Sequence, residues 1–215
     1  MIKLSPSVLT ADFLNLKDDI VKLESAGVDM LHLDVMDGIF VPNISFGMPV
    51  VRSIKSHTSL PLDVHLMIDR PHRYVEEFVK SGADILGFHY EAGSDNAETL
   101  KKIRSLGCRS SITIKPCTEA QSIFELLDYC DMVLVMSVEP GFGGQKFMPS
   151  ALEKISAVRE ECVRRGLDID IEVDGGINAE TAVSAVNAGA NVLVAGNYIF
   201  SAKDMAARVK EIKSL

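Results

Sequence analysis

Eight times along the chain a short β-branched, apolar run gives way to a longer amphipathic stretch, and this alternation restricts the fold more than any other feature. Strands are expected at Lys3–Leu9, Met30–Met36, Pro61–Ile68, Asp84–Tyr90, Arg109–Lys115, Asp131–Val138, Ile169–Asp174 and Asn191–Gly196. Helices are expected near residues 12–25, 47–56, 71–81, 95–106, 118–128, 149–166, 179–188 and 203–213. Gly27, Gly82, Gly107, Gly166 and Gly189 follow five of the helices, where a left-handed residue ends a helix. Strands joined through helices run parallel, because the crossover returns the chain to the same end of the sheet. Eight such units in 215 residues average about 27 residues each. The compact closed arrangement is an α/β fold, a (β/α)8 TIM barrel. An open doubly wound sheet is the rival. No Gly-x-Gly-x-x-Gly follows the first strand, and polar residues at strand ends are spread around most strands, which suits a ring. No linker or shift in composition interrupts the chain, so residues 1–215 are expected to form one barrel domain, leaner than the ~250 residues typical of the fold.

Composition narrows the function classes. The 22 Lys+Arg against 30 Asp+Glu give a net charge of −8, and a net-acidic surface argues against nucleic acid as a partner. It leaves room for an anionic small molecule, since backbone N–H groups make a pocket locally positive. The four cysteines, Cys108, Cys117, Cys130 and Cys162, lack Cys-x-x-Cys spacing and read as reduced thiols of a cytoplasmic protein. The N-terminus lacks the apolar core of a signal peptide, and no apolar run approaches the roughly 20 residues of a membrane span, so no membrane partner is expected.

Chemistry in such barrels sits at the C-terminal ends of the strands. With a period of two, His32, Asp34 and Met36 share one face of the second strand, and Asp63, His65 and Met67 one face of the third. Asp174 ends the seventh strand. Carboxylates directed into a barrel are costly unless paired or bound to a cation. His32, Asp34, His65 and Asp174 together would hold one divalent metal ion, zinc first, with manganese, iron or cobalt as alternatives. The plain alternative is two core histidines hydrogen-bonded to these carboxylates.

Glycines form the second constellation: Gly141-Phe142-Gly143-Gly144 after the sixth strand, Gly175-Gly176 after the seventh, and Gly196-Asn197 after the eighth. Glycine lets backbone N–H groups approach an anion, and loops after the last strands of such barrels commonly hold phosphate. Tight turns are the plain reading. Met36, Met67 and Met136 lie at three strand ends, either as core or as a polarizable lining. A cation that polarises a carbonyl, two carboxylates (Asp34 and Asp174) on opposite sides of the mouth and a phosphate clamp suit proton abstraction beside a ketone with return from the other face. The product would be an epimer.

Five segments carry a resemblance: LSPSVLTADF at 4–13, LHLDVMDGIFVPNISFG at 31–47, LDVHLMI at 62–68, MSVEPGFGGQKF at 136–147 and IEVDGGIN at 171–178. Together they resemble the ribulose-phosphate 3-epimerase family over essentially the whole length. The resemblance implies a (β/α)8 barrel, often a homo-oligomer, that interconverts D-ribulose 5-phosphate and D-xylulose 5-phosphate through a metal-stabilised enediolate. It implies His32, Asp34, His65 and Asp174 as metal ligands, and Asp34 and Asp174 as the catalytic acid and base. It implies substrate contacts from Ser7, His65, Met36, Met67, Met136, Gly141, Phe142, Gly143, Gly144, Asp174, Gly175, Gly176, Gly196 and Asn197. Two positions depart from the family pattern. Asn197 stands where a small hydroxyl residue is usual, and Lys115-Pro116-Cys117 where asparagine-proline-alanine is usual. The rival readings are a 3-epimerase of a six-carbon ketose phosphate such as D-allulose 6-phosphate, a Schiff-base aldolase using Lys115, and a non-catalytic phosphosugar-binding barrel.

Overall fold

In the computed structural model, which describes residues 2–215, eight parallel strands lie in one sheet. They are β1 (Lys3–Leu4), β2 (Leu31–Met36), β3 (Leu62–Met67), β4 (Ile85–His89), β5 (Arg109–Ile114), β6 (Met132–Met136), β7 (Asp170–Asp174) and β8 (Val192–Val194). The order β1-β8-β7-β6-β5-β4-β3-β2 places β1 and β2 at the two ends. A parallel bridge between Ser7 and His32, with the His32 N–H donating to the Pro6 carbonyl at 3.0 Å, brings those ends together. The result is a (β/α)8 TIM barrel.

The helices are α1 (Leu16–Ala26), α2 (Met48–Lys55), α3 (Val75–Lys80), α4 (Asn96–Ser105), α5 (Ser150–Arg165), α6 (Ala179–Ala188), α7 (Asn197–Phe200) and α8 (Met205–Lys213). Their ends follow local chemistry. Asp95 opens α4 by accepting from the Glu98 N–H, and Gly27, with φ of 83°, closes α1. All five glycines expected at helix ends have positive φ.

Four elements differ from the sequence expectation, one of them the helix expected near 71–81, which is split into a 3-10 turn at Pro71–Arg73 and α3. β1 covers only Lys3–Leu4, because Pro6 has no N–H for a ladder and the Ser7 hydroxyl accepts from the Leu9 N–H to start a 3-10 turn at Val8–Thr10. The segment between β5 and β6 is a 3-10 helix, Ala120–Tyr129. It buries Ala120, Ile123 and Leu127 against the core. The four-residue α7, just after β8, was absent from the expected elements.

Each strand serves two layers. Residues directed outward, such as Leu33, Val64, Leu66, Phe88 and Val133, join the main core under the helices. Met30, Ile85, Met132 and Val192 point inward and fill the lower end of the barrel. Lys3, Arg109 and Asp170 form ion pairs at that end, in register with the plug, and His32, Asp34, His65, His89, Glu172 and Asp174 occupy the layers above it. Phe88 is fully buried in the outer core, so Phe88→Ala is expected to lower the unfolding free energy by about 3–5 kcal/mol. Urea denaturation checks this.

Candidate active site at the barrel mouth

Strand register assembles the centre of the mouth. The β2–β3 pairing sets His32 beside Asp63, Asp34 beside His65, and Met36 beside Met67. On the other side, the β6–β7 pairing sets Met136 beside Asp174. The donor atoms of His32, Asp34, His65 and Asp174 all lie within 4.8 Å of one another. The two carboxylates thus converge more closely than the expected placement across the mouth, with β2 and β7 separated by only β1 and β8 around the ring.

Asp34 is 3% exposed and ringed by polar side chains. The Ser7 hydroxyl donates to its Oδ2 at 2.5 Å. His32 Nε2 and His65 Nδ1 each stand 3.4 Å from its Oδ1, and neither nitrogen has a hydrogen-bond partner. The opposite nitrogens of both rings are occupied. His32 Nδ1 meets Asp63 Oδ2 at 2.5 Å, and His65 Nε2 meets His89 Nε2 at 2.9 Å.

This donor set fits a divalent cation. Two unpartnered imidazole nitrogens and carboxylates on two strands are the mixed nitrogen and oxygen ligands that zinc and its neighbours take. Ligand atoms around a tetrahedral zinc stand about 3.4 Å from one another, the spacing of both nitrogens from Asp34 Oδ1. A carboxylate behind a histidine, as Asp63 is behind His32, orients such a ligand.

Protein groups alone pull these acidities apart. Burial works against charge on His32, yet the flanking Asp34 and Asp63 carboxylates hold its pKa well above the ordinary imidazole value. Burial also opposes ionisation of Asp34, but His32 and His65 overcome it and hold Asp34 well below the carboxylate range. Asp174, partly open to the mouth, is pushed up to about 7 by desolvation, with the Asp34 charge adding to the effect. Beneath it, burial and the Asp63 charge push Glu172 well up.

Above this centre lies a cavity of about 440 Å³. Its walls include Ser7, Asp34, Met36, Met67, Met136, Gly141, Phe142, Gly143, Gly144, Asp174, Gly175, Gly176, Gly196 and Asn197. His32 and His65 do not line it; they are buried below, His65 beneath the surface that a ligand would touch. The glycine loops are tightly placed. A Cβ on Gly176, whose φ is +63°, would stand 2.3 Å from the Phe147 backbone nitrogen. The first N–H groups of α7, beginning at Asn197, have no acceptor within their own helix. Lys115, the residue an aldolase would use, is not among the lining residues; its Nζ lies 3.9 Å from the centroid of the Phe40 ring.

Sequence reasoning left His89 without a role and passed over Glu91 and Glu172. His89 and Glu172 show the inward period of β4 and β7, a signal that was available. Glu91 lies beyond β4 and is brought to His89 by the turn.

A barrel with paired carboxyls of opposite acidity at its mouth is the framework of a (β/α)8 enzyme. Residues 3–200 match the ribulose-phosphate 3 epimerase family. The chain is 46% identical over 214 residues to the ribulose-phosphate 3-epimerase of Bacillus subtilis, covering 99% of each chain. It is also 46% identical to the chloroplastic ribulose-5-phosphate-3-epimerase of Arabidopsis thaliana, covering 99% of this chain and 76% of that one. The crystal structure of KGPDC from Streptococcus mutans superposes with a TM-score of 0.75 at 14% identity, covering 100% of this chain and 97% of that one, a likeness of fold alone. The chain belongs to the ribulose-phosphate 3 epimerase family, and it is an isomerase, a carbohydrate epimerase.

The acidity of Asp174 sets a stability signature. Its folded pKa of about 7 exceeds the free value of 3.8, so folded protein holds this proton more tightly than unfolded protein does. The stabilisation is complete below pH 3.8 and is lost as pH rises through about 7. In chelator-treated protein, the Tm of the wild type is expected to fall relative to Asp174→Asn across that window and to run parallel above it. Thermal denaturation at stepped pH checks this.

Proposed function

We propose that this chain epimerises D-ribulose 5-phosphate at C3 to D-xylulose 5-phosphate, with one divalent metal ion per subunit held by His32, Asp34, His65 and Asp174. The observation that carries the reading is the convergence of the Asp34 and Asp174 carboxyls with His32 and His65 at one mouth, their ligand atoms within 4.8 Å of one another. Near-full-length identity to proteins named ribulose-phosphate 3-epimerases supports the substrate.

Asp34 takes the C3 proton from one face of the bound ketose. Asp174 delivers a proton to C3 from the other face, which inverts the centre, and the reverse reaction exchanges the two roles. Ser7 holds the Asp34 carboxylate in place through its hydroxyl. When bound, the ion supplies positive charge beside the substrate carbonyl and its neighbouring hydroxyl, where negative charge develops. Met36, Met67 and Met136 keep water away from the delocalised charge with soft, polarizable sulfur. The backbone of the Gly141–Gly144, Gly175-Gly176 and Gly196-Asn197 segments receives the phosphate, and their lack of Cβ atoms allows its oxygens close to the N–H groups. The Asn197 amide adds a donor to that loop.

Assembly into a homo-oligomer is supported by Leu14, Ile39 and Ile44, apolar residues 95%, 78% and 75% exposed in the loops after β1 and β2. A cytoplasmic setting is supported by four unpaired cysteines. No helix among the described residues is long and apolar enough to cross a membrane.

Asp34→Asn and Asp174→Asn are each expected to lower kcat by at least about 100-fold with folding retained, as loss of an acid–base group does. In deuterated water the wild type is expected to form D-xylulose 5-phosphate labelled at C3, followed by NMR, and to stop on chelation. Full turnover by Asp174→Asn would overturn the two-carboxyl mechanism. Turnover of D-allulose 6-phosphate in preference to the pentose would move the substrate to the six-carbon class.

A further inference from the structure

Behind His65 lies a file of groups that the reaction itself does not use. His65 Nε2 faces His89 Nε2 at 2.9 Å, both rings fully or almost fully buried. On the far side of its ring, His89 Nδ1 faces Glu91 Oε2 at 3.4 Å, and neither of these atoms has another hydrogen-bond partner. The other oxygen of Glu91 is taken: Oε1 accepts from the Lys115 backbone N–H at 3.0 Å and from the Thr118 hydroxyl. Lys154, a buried lysine on α5, donates to the Pro116 and Thr118 carbonyls at 2.5 and 2.6 Å and fastens that loop. Phe40 packs against His89 with ring centroids 4.8 Å apart, fixing its plane.

The proton positions in this file follow from one another. A carboxylate oxygen accepts only, and both ends of the file meet one at 3.4 Å, Asp34 Oδ1 at His65 Nδ1 and Glu91 Oε2 at His89 Nδ1. Asp34 has Ser7 and His32 Nε2 beside it as well, whereas buried Glu91 Oε2 has His89 alone, so His89 Nδ1 carries the hydrogen that faces Glu91. His89 Nε2 is then a lone pair. Two lone pairs at 2.9 Å repel, so the hydrogen between the rings belongs to His65 Nε2. That leaves His65 Nδ1 as the lone pair directed at Asp34.

We propose that His89 and Glu91 are positioning residues that lock His65 with its proton on Nε2 and its Nδ1 free to bind the cation. This inference rests on the metal site proposed above. A metal-ligating histidine acts only as its neutral lone-pair form, and the group behind it selects which nitrogen that is. Here the selection passes through a second imidazole and is anchored by α5 and the loop after β5.

The isosteric change Glu91→Gln tests the file directly. Its amide oxygen stays with the two donors, Lys115 N–H and Thr118 hydroxyl, so its NH2 group faces His89 Nδ1. Each proton then moves over: His89 carries its hydrogen on Nε2, and His65 carries its own on Nδ1, where the cation would bind. Long-range proton–nitrogen correlation spectra of metal-free full-length protein with 15N-labelled histidine read these positions, and five histidines keep the spectrum assignable. The wild type is expected to show His65 protonated on Nε2, and Glu91→Gln to shift it to Nδ1. Zinc affinity, measured against a competing chelator, is expected to fall about 10–100-fold in the variant. An unchanged tautomer with unchanged affinity would overturn the proposal. If Glu91→Gln does not fold, the wild-type spectrum decides alone, since a proton on His65 Nδ1 contradicts the file. A tautomer shift in a protein whose wild type binds no zinc would uphold the file and reject the metal reading instead.

Discussion

The rest of the molecule is arranged around one buried carboxylate. Asp34 sits at the C-terminal end of β2, 3% exposed, where an isolated charge would be prohibitively costly. Its surroundings answer that cost from three strands. Ser7 donates from beyond β1, His32 lies two residues before it on β2, and His65 stands beside it on β3. Both imidazoles direct an unpartnered nitrogen at one oxygen of Asp34, and each is backed on its other side, by Asp63 and by His89. A change at any of these groups is therefore felt at Asp34.

The barrel makes such a cluster affordable. The apolar plug of Met30, Ile85, Met132 and Val192 closes the lower end, and the helices bury the outer face of every strand. Apart from the ion-paired Lys3, Arg109 and Asp170 at the rim of that plug, the polar inward side chains gather above it. The asymmetry also separates the two acids. Asp34 lies deep among imidazoles and stays ionised, while Asp174 lies higher, near the Asp34 charge and without a cationic partner of its own, and holds its proton to about pH 7. Two carboxyls of the same chemistry acquire different acidities from position alone.

Much of this was legible beforehand because period and register are local properties. The two-residue repeat of His32, Asp34 and Met36, and of Asp63, His65 and Met67, placed those residues on inward faces, and the structure has them there. The glycine segments after the last three strands do reach one cavity. The misses have definite causes. Ala120–Tyr129 buries Ala120, Ile123 and Leu127, a spacing of three and four that an α-helix shows equally, so periodicity does not reveal the tighter helix. Thr118 and Lys154 give no sign in the sequence of their ties to the β4 end, since those ties cross 27 residues to Glu91 and 36 to the Thr118 carbonyl.

The sequence by itself determined the eight-unit parallel architecture, the inward faces of β2, β3 and β7, and the chemistry-bearing residues at the strand ends. These depend on alternation and spacing, which the chain carries locally. The tertiary structure decided which nitrogen of each histidine is free, how near Asp174 comes to Asp34, and why the two differ in acidity. It also placed His65 below the cavity surface and set His89 and Glu91 behind it. Those features depend on distances of a few tenths of an ångström between strands far apart in sequence, and burial and hydrogen-bond direction are fixed only when the ring closes.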